Sequence, residues 1–543
     1  MLLAAGCQHD TPRPAAGRMP PPATSAREHA ARPSPPVVPA SHTEPAAPPS
    51  KFAPAQPTAP LPAPQPAAPA VGAEPPPAPK PAPAPAGSPA SGGGPLALDE
   101  VLGAVERHYP LLRAVEQEIA IAGGRLLSAT GAFDLNLTAG ADGQGTTYDN
   151  FRSNVGVSQG LPAGGVGVFA GYRNGYGEFP TYNLGQKTAD GGEFRAGVSV
   201  PLLQNRAIDR PRAAIRQAQL DVAIAGPTVE RQRLDFHRAA ARAYWNWVAA
   251  GHRLRLAAAL VKLAAERDEQ LKARVAAGPL ANIERIDNQQ NIALRNGVLV
   301  QAGRAFQQAS IDLSLFLRDS TGTPTLAGAD RLPAFPEVQP IDAAAFDAAL
   351  RAAFENRPEP RRLRLLRDKA AVELQFASNQ MLPGLNAVVA ASQDVGRGKS
   401  SLSGPNGLET TTVTAGLSFQ VPVQRRDARG RVATATAQLT QIEQQLRQAE
   451  DVVRADVQDA FSALERAAEF YQQARQRVEL TRVVATAERV RLDLGTSDIL
   501  RVTLREQAVF DAELTEIGAQ QDYFRAVADF RAAVGLVETD APR

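Results

Sequence analysis

The sequence AGVSVPL at residues 196–202 recurs in degenerate form as AGLSFQVPV at residues 415–423, and the elements around it recur in the same order. Each copy ends a strand-like region and precedes a very long helical pattern, from about residue 209 to 277 and from about 427 to 494. At 1.5 Å per residue, either helix would be about 100 Å long, which no globular core requires. The repeat therefore predicts an internally duplicated chain built on two very long helices.

Two further matches support the duplication. The segment ARVAAG at residues 273–278 corresponds to ERVRLDLG at residues 488–495, and each ends a long helix at a glycine. The segment from Leu98 to Pro110 corresponds to the segment from Phe346 to Pro358. The predicted order in each repeat is a half-length helix, strands, a long helix and a second half-length helix. The predicted boundaries are a truncated-looking lipoprotein signal at 1–7, a linker at 8–95, a first repeat at 96–318, an irregular segment at 319–345, a second repeat at 346–536 and a tail at 537–543.

The first 95 residues differ in composition from the rest of the chain. They hold 28 of its 45 prolines together with 24 alanines, a composition that cannot form a packed core, so we predict a disordered linker. Cys7 is the only cysteine and follows Leu-Leu-Ala-Ala-Gly, which resembles the lipobox of bacterial lipoproteins. Either Cys7 is acylated and anchors the chain, or it is an incidental cysteine. Because only a stub of a signal precedes it, we expect the true start codon to lie upstream.

Charge and motif content argue against several classes of function. The net charge of +2 gives no electrostatic argument for nucleic-acid binding. The chain contains no run of 18 apolar residues, which argues against a transmembrane helix. No P-loop, HExxH, GxSxG or EF-hand pattern appears, and one cysteine excludes a cysteine-based zinc site. We expect the isolated His108, His237 and His252 to be packed or solvated. The sequence therefore predicts no enzyme, and no catalytic, cofactor-binding or metal site.

Residues 133–201 change to a period of two and become rich in glycine and aromatic residues, which favours strands. Such aromatic residues fit the girdle of a membrane β-barrel, although soluble strands also carry them. Within this region, residues 152–175 have the pattern of an extra hairpin around Pro162–Gly165. The hairpin would enlarge a barrel, extend one strand pair into a loop, or cap an outer mouth, and the sequence does not decide among these.

The second long helix carries a narrow apolar seam with polar residues on both flanks. This pattern is typical of helices that pack side by side in a wall enclosing water, and a plain antiparallel coiled coil is the alternative. The seam consists of Leu439, Ile442, Leu446, Ala449, Val453, Val457, Phe461 and Leu464.

The joint order of these elements, with VPLL closing the strands and glycine turns at Gly278 and Gly495, resembles TolC-type outer-membrane efflux proteins over about residues 96–536. The resemblance implies a mainly α fold with a β-barrel portion: a homotrimer in which four strands per subunit form a transmembrane β-barrel that continues into a periplasmic α-barrel. Residues 319–345 would then form the equatorial segment. The turns at Gly278, Pro279 and Gly495 would lie at the periplasmic tip, where the family has its gate and docks its adaptor protein.

At the gate, better-known members carry an aspartate after the turn in an Ile-x-Asp-Val motif. Here the matching stretches are Ile283-Glu284-Arg285-Ile286 and Ile499-Leu500-Arg501-Val502, so arginine replaces both aspartates, with Glu284 and Asp287 nearby. Carried over to a trimer, Arg285 and Arg501 would form a ring of arginines that favours anions. The alternative is that both pair with neighbouring acidic residues and tie helix ends together.

From this resemblance we predict the outer-membrane exit duct of a tripartite efflux or type I secretion system, which passively exports small molecules or polypeptide. The implied partners are two further copies of the chain, a periplasmic adaptor (membrane fusion) protein, an inner-membrane RND or ABC pump and outer-membrane lipid. The alternative is a structural coiled-coil periplasmic lipoprotein, or an adaptor, without a membrane barrel. The predicted location is the outer membrane, with a lipid anchor and a periplasmic α-barrel.

Overall fold

The computed structural model describes residues 94–180, 183, 186–278, 281–339, 342, 344–397 and 411–536. The predicted signal with Cys7, nearly all of the predicted linker, Pro279 and the tail lie outside the described residues. The described part contains eight α-helices and six strands. In chain order they are α1 Leu98–His108, α2 Pro110–Thr130, β1 Asn136–Gln144, β2 Asn150–Gly160, β3 Gly167–Gly177, β4 Glu193–Pro201, α3 Arg210–Ala276, α4 Asn282–Ser314, α5 Ala345–Asn356, α6 Pro358–Asn379, β5 Gly384–Asp394, β6 Thr412–Gln420, α7 Arg426–Asp493 and α8 Ile499–Val534.

The two long helices, α3 with 67 residues and α7 with 68, lie within two residues of their predicted bounds. Both predicted half-length helices that precede the strands are each two helices, which corrects the sequence prediction. The backbone is extended and no longer helical at Tyr109 and at Arg357, whose ψ angles are 117° and 126°. Proline follows each of these residues and disfavours helical conformation in the residue before it. Pro110 and Pro358 then begin α2 and α6, because a missing N–H costs nothing in the first helical turn.

All six strands form one antiparallel sheet in the order β1-β2-β3-β4-β5-β6. The predicted extra hairpin is β2 and β3, and its 11-residue strands pair along their full length with each other. The sheet therefore has two strands more than the four that the resemblance implies. The first repeat contributes four strands and the second contributes two, which join at the β4–β5 pair.

The helices form a layer whose neighbours change along its length. On the side next to the sheet the order is α2, α3, α6 and α7, and on the side of the glycine turns it is α4, α3, α8 and α7. The long helices α3 and α7 run through both halves, while the shorter helices each cover one half. The layer thus has a sheet at one end and two helical hairpins, α3–α4 and α7–α8, at the other.

The main hydrophobic core lies between these two halves, around the middle of α3. Trp247 of α3 is fully buried, and Trp245 stacks on Phe524 of α8 with ring centroids 4.3 Å apart. The segment at 319–339, predicted as equatorial, packs here: Leu332 is buried, and the Tyr523 hydroxyl donates to the Gln339 carbonyl at 3.1 Å. The helical hairpins therefore project from a fixed core. Among the helices that the structure describes, none combines the length and the apolar character needed to cross a membrane.

Candidate gate at the two helical turns

Both helical hairpins turn at a glycine in the left-handed region. Gly278 has a φ of 91° and Gly495 a φ of 75°, a conformation that costs other residues a steric clash of their Cβ atom. At the second turn, the Gly495 N–H donates to the Leu492 carbonyl at 3.0 Å and the Thr496 N–H to the Arg491 carbonyl at 2.9 Å. This is a Schellman motif, which satisfies the last carbonyls of α7. Sequence reasoning therefore located both turns.

The first turn is held by a polar contact between α3 and α4. Arg285 of α4 donates to Asp268 of α3 at 3.4 Å, and the side chains of the two residues are 30% and 14% exposed. One turn further along α4, the buried Asn288 donates to the Ala264 carbonyl at 3.2 Å. Glu284 is half-buried and Asp287 is exposed. Arg285 thus contacts an acidic residue on the neighbouring helix within its own hairpin.

The second turn is arranged differently. Asp498 caps α8 by accepting from the Arg501 N–H at 2.7 Å, and its other carboxylate oxygen lies 3.4 Å from the Arg501 guanidinium. The Arg501 side chain is 66% exposed, so this pair is solvated. The buried Glu488 of α7 accepts from the Ser497 hydroxyl, in the turn between the two helices. Arg501 therefore projects from the turn, whereas Arg285 lies against its neighbour.

Behind the turns, one carboxylate joins all four helices. Glu506 of α8 is buried, with a side chain only 2% exposed. Its Oε1 accepts from Arg267 of α3 and from Arg489 of α7, the latter at 3.0 Å. Its Oε2 lies 3.9 Å from Arg295 of α4, whose side chain is 3% exposed. Three arginines thus share one buried acid, and the cluster links the two hairpins to each other.

The cluster is electrostatically demanding, because taking ions out of water is costly unless they are paired. Burial lowers the pKa of Arg295, while the negative charge of Glu506 opposes that shift and Arg267 adds to it. Arg295 also donates to the Leu260 carbonyl at 3.2 Å. Beside Glu506, helices α3, α7 and α8 leave a cavity of about 300 Å³ lined by Leu256, Leu263 and Phe510 among others. Glu506 therefore borders a groove between these helices.

Sequence reasoning did not single out Glu506, Arg267, Arg295 or Arg489. The available signal was local: Val502, Glu506 and Phe510 follow each other at steps of four, and all three are buried. An acidic residue within an apolar stripe indicates a buried partner of opposite charge. The identity of the partners was not readable, because Arg267 is more than 200 residues away in the chain.

The histidines on α3 lie away from the turns and have structural contacts. His237 is buried, and its Nε2 lies 2.6 Å from Glu106, while the His252 Nε2 lies 2.9 Å from the Pro333 carbonyl. Burial lowers the pKa of both imidazoles, and Glu106 partly offsets this for His237. Within the described ranges, no group of three or more His, Cys, Asp and Glu residues is arranged to hold a metal ion.

This architecture is similar to that of known outer-membrane proteins. Residues 349–536 match the sequence model of a family described as outer membrane efflux protein. The open state of the MtrE outer membrane channel of Neisseria gonorrhoeae is similar over 81% of this chain and 89% of its own, with 17% identity and a TM-score of 0.60. VceC of Vibrio cholerae is similar over 81% and 97%, with 15% identity and a TM-score of 0.56. The CmeC outer membrane channel of Campylobacter jejuni is similar over 81% and 85%, with 12% identity and a TM-score of 0.56.

No curated protein matches the chain in sequence. The family match covers the second repeat, and the structural likeness, at these identities, establishes the fold for the rest of the described body. The predicted resemblance to TolC-type outer-membrane efflux proteins is confirmed. The matching family is described as an outer membrane efflux protein, and MtrE and CmeC are described as outer membrane channels.

Proposed function

We propose that three copies of this chain form the outer-membrane exit duct of a tripartite efflux or type I secretion system. The observation that carries the proposal is that the part of the protomer that the structure describes is an open layer with two unpaired edges. On the side of the turns the edge helices are α4 and α7, and both expose bulky apolar residues, such as Val300 at 72% and Val483 at 68%. The sheet likewise ends at β1 and β6.

Such edges suit closure by further copies of the same chain. Exposed apolar side chains along a helix gain free energy when a second helix covers them, and unpaired strand edges gain hydrogen bonds. In a closed ring, α7 of one protomer would lie beside α4 of the next, and β6 beside β1. Three copies would enclose a water-filled α-barrel of about 100 Å in length, given by α3 and α7, with a membrane β-barrel at its end. The coiled-coil alternative requires no sheet, and six paired strands count against it.

The helical turns would face the periplasm and receive the adaptor protein of an inner-membrane RND or ABC pump. Gly278, Pro279 and Gly495 would form the docking tips, and Arg285, Arg501, Glu284 and Asp287 would lie at the entrance. The duct would be passive, and the pump would supply the energy. Glu506 would hold the entrance closed, because it ties the α3–α4 hairpin to the α7–α8 hairpin.

We also propose that Cys7 carries lipid chains that anchor the protein in the outer membrane. Each buried CH₂ group of a lipid chain contributes about 0.8 kcal/mol, so two or more chains anchor stably. The proline-rich linker would then connect the anchor to α1, with ample length at about 3.1 Å per residue for polyproline II. Metabolic labelling with a palmitate analogue should label the wild type and not Cys7→Ser, and equal labelling would rule out this site.

The function is tested by electrophoresis of outer-membrane fractions with and without boiling, combined with chemical crosslinking. We expect a trimer that resists detergent until it is boiled, in the wild type and in a Glu513→Gln control. Loss of the trimer in Cys7→Ser would show that the anchor assists assembly. A monomer released from the membrane without detergent would refute the duct and leave the coiled-coil alternative.

A further inference from the structure

The β2–β3 hairpin adds two strands to the four per protomer that the resemblance implies. Strands β2 and β3 lie between β1 and β4, and each pairs in continuous antiparallel register with both of its neighbours. Both are 11 residues long, which meets the length that a strand needs to cross a membrane. A hairpin that capped a mouth, or continued into a loop, would not separate β1 from β4 in this way.

One face of the sheet is mainly apolar across all six strands, although Ser153, Gln159 and Asn174 also lie on it. The register places Leu137 of β1, Val157 of β2 and Ala170 of β3 side by side on it. The same row continues through Ala196 of β4 and Ala391 of β5. The other members of this face include Ala139, Val155, Phe151, Val168, Tyr172, Tyr176, Phe194, Val198, Val389, Val413, Leu417 and Phe419. Strands β2 and β3 therefore present the same kind of surface as the other four strands.

The opposite face of the sheet is mainly polar, and four of its charged residues pair between strands. Arg152 of β2 pairs with Asp142 of β1, and Arg173 of β3 pairs with Glu193 of β4. Charged side chains on one face and apolar side chains on the other are the pattern of a barrel wall with lipid outside and water inside. The ion pairs cross the β1–β2 and β3–β4 boundaries, so they bind the hairpin into the polar face on both sides.

The turn of this hairpin is anchored at the helical end of the sheet. The Gln159 side chain donates to the Phe133 carbonyl at 3.1 Å, just after α2. A Cβ atom on Gly165 would lie 2.6 Å from the Asn205 carbonyl oxygen, so the turn packs against the chain leading into α3. The β2–β3 turn is short and lies on the same side as the helices, as periplasmic turns do in outer-membrane barrels.

We infer that β2 and β3 are part of the barrel wall, so that three protomers with six strands each enclose a barrel of eighteen strands. This inference rests on the proposed trimeric duct. Because barrel diameter grows roughly in proportion to strand number, the pore is about 1.5 times as wide as that of a twelve-stranded barrel. Barrels of 16–18 strands leave an aqueous channel. The membrane section then does not limit the size of the cargo, and the limit lies at the helical turns.

The test compares the wild-type trimer with a deletion of residues 145–177 in planar bilayers. The deletion removes β2, β3 and the turns at their ends, and joins Gln144 at the far end of β1 to the segment that leads into β4. This variant should form a four-stranded protomer. We expect neutral polymers added from the outer side to enter the wild-type mouth up to about 1.5 times the radius that enters the variant. Equal cut-off radii would overturn the eighteen-stranded barrel.

A second experiment covers a deletion variant that does not assemble. Cysteine pairs place one residue on β6, Ala415→Cys, and the other on β1 at Leu137, Ala139 or Ala141. We expect a covalent trimer from at least one of these pairs, because β1 and β6 meet between protomers in the eighteen-stranded barrel. A disulfide within one chain between Ala139→Cys on β1 and Ala196→Cys on β4 would overturn it, because β2 and β3 keep these two strands apart only when they belong to the barrel wall. A covalent trimer from Ala415→Cys with Ala170→Cys on β3, and none with β1, would overturn it as well. A wild-type chain that forms no trimer at all would instead refute the duct itself.

Discussion

The two helical turns descend from one duplicated pattern but are held together in different ways. At the first, Arg285 is half-buried and contacts Asp268 on the neighbouring helix, and the buried Asn288 adds a second contact across the hairpin. At the second, Arg501 is exposed, and its ion pair is with Asp498, the cap of its own helix. Repetition thus preserved the backbone turn and the arginine, while the partners of that arginine diverged. The first arginine stabilises its hairpin, and the second is exposed to solvent.

The largest effect should come from breaking the cluster that joins the two hairpins. Glu506→Gln removes the negative charge that Arg267, Arg295 and Arg489 share. For the buried Arg267 and Arg295, removing one partner of a buried pair costs on the order of 3–5 kcal/mol. We expect the reconstituted channel to open spontaneously far more often than the wild type, in single-channel recordings.

The matched control is Glu513→Gln on the same helix. Glu513 pairs with Arg482 at 2.5 Å, but the Arg482 side chain is 59% exposed, so the loss is limited to about 1 kcal/mol. The control should gate as the wild type does. If both variants open equally often, the two hairpins are not coupled through Glu506. The cluster around Glu506 would then have no part in holding the hairpins together.

The next largest effect is expected from replacing the glycine that each turn contains. Alanine at Gly278 or Gly495 would adopt a left-handed conformation, which costs about 1–2 kcal/mol. Chain neighbours aside, no atom of the described residues lies within 4 Å of a Cβ atom at either glycine, so the cost should be conformational and similar at both turns. Hydrogen exchange of the amides next to each turn measures it as faster local opening. A clear difference between the two variants would show that the turns are less alike than their backbones indicate.

A smaller effect is expected from replacing the acidic partner of each arginine, and it should differ between the two turns. Asp268→Asn removes the acidic partner of the half-buried Arg285, with an expected loss of about 1 kcal/mol in the local stability of the α3–α4 hairpin. Asp498→Asn is the counterpart at the second turn, and asparagine still caps a helix, so α8 should lose only a few tenths of a kcal/mol. Hydrogen exchange at each hairpin gives both values. Equal losses would contradict the distinction between a paired and a solvated arginine.

Much of the fold could be predicted from periodicity, because apolar residues recur at steps of three and four along the whole length of a long helix. The seam residues Val453, Val457 and Leu464 are buried as expected, and both glycine turns were located. The breaks at Tyr109 and Arg357 were missed although the following prolines were in view, because the apolar period continues through them. The two extra strands were seen as a hairpin, but their place in the sheet depends on hydrogen bonds that no local pattern contains.

The site was predictable only in part, for a related physical reason. Turn residues such as Gly495 are set by local backbone geometry and can be read from the chain. The partners of Arg285 and Glu506 are set by which helices pack together, and Asp268 lies 17 residues before Arg285 on another helix. The same motif therefore gave two different environments. Only the packing distinguishes the arginine that ties two helices from the arginine that faces water.

The smallest effect on stability, with a distinct effect on conduction, is expected for Arg501→Asp. The exposed side chain contributes little to folding, and an acid in the first turn of α8 is favoured by the helix dipole, so stability should stay within about 0.5 kcal/mol. In the proposed trimer, however, Arg501 adds positive charge at the entrance, and the substitution reverses it at close range. Single-channel reversal potentials in a salt gradient should show an anion preference that weakens or inverts. Arg285→Gln and Arg501→Gln are the matched pair, because each removes one positive charge. Arg285→Gln should change selectivity less, because its side chain is 30% exposed and that of Arg501 is 66% exposed. Unchanged selectivity in Arg501→Asp would rule out the arginine ring and leave both arginines as residues that tie helix ends.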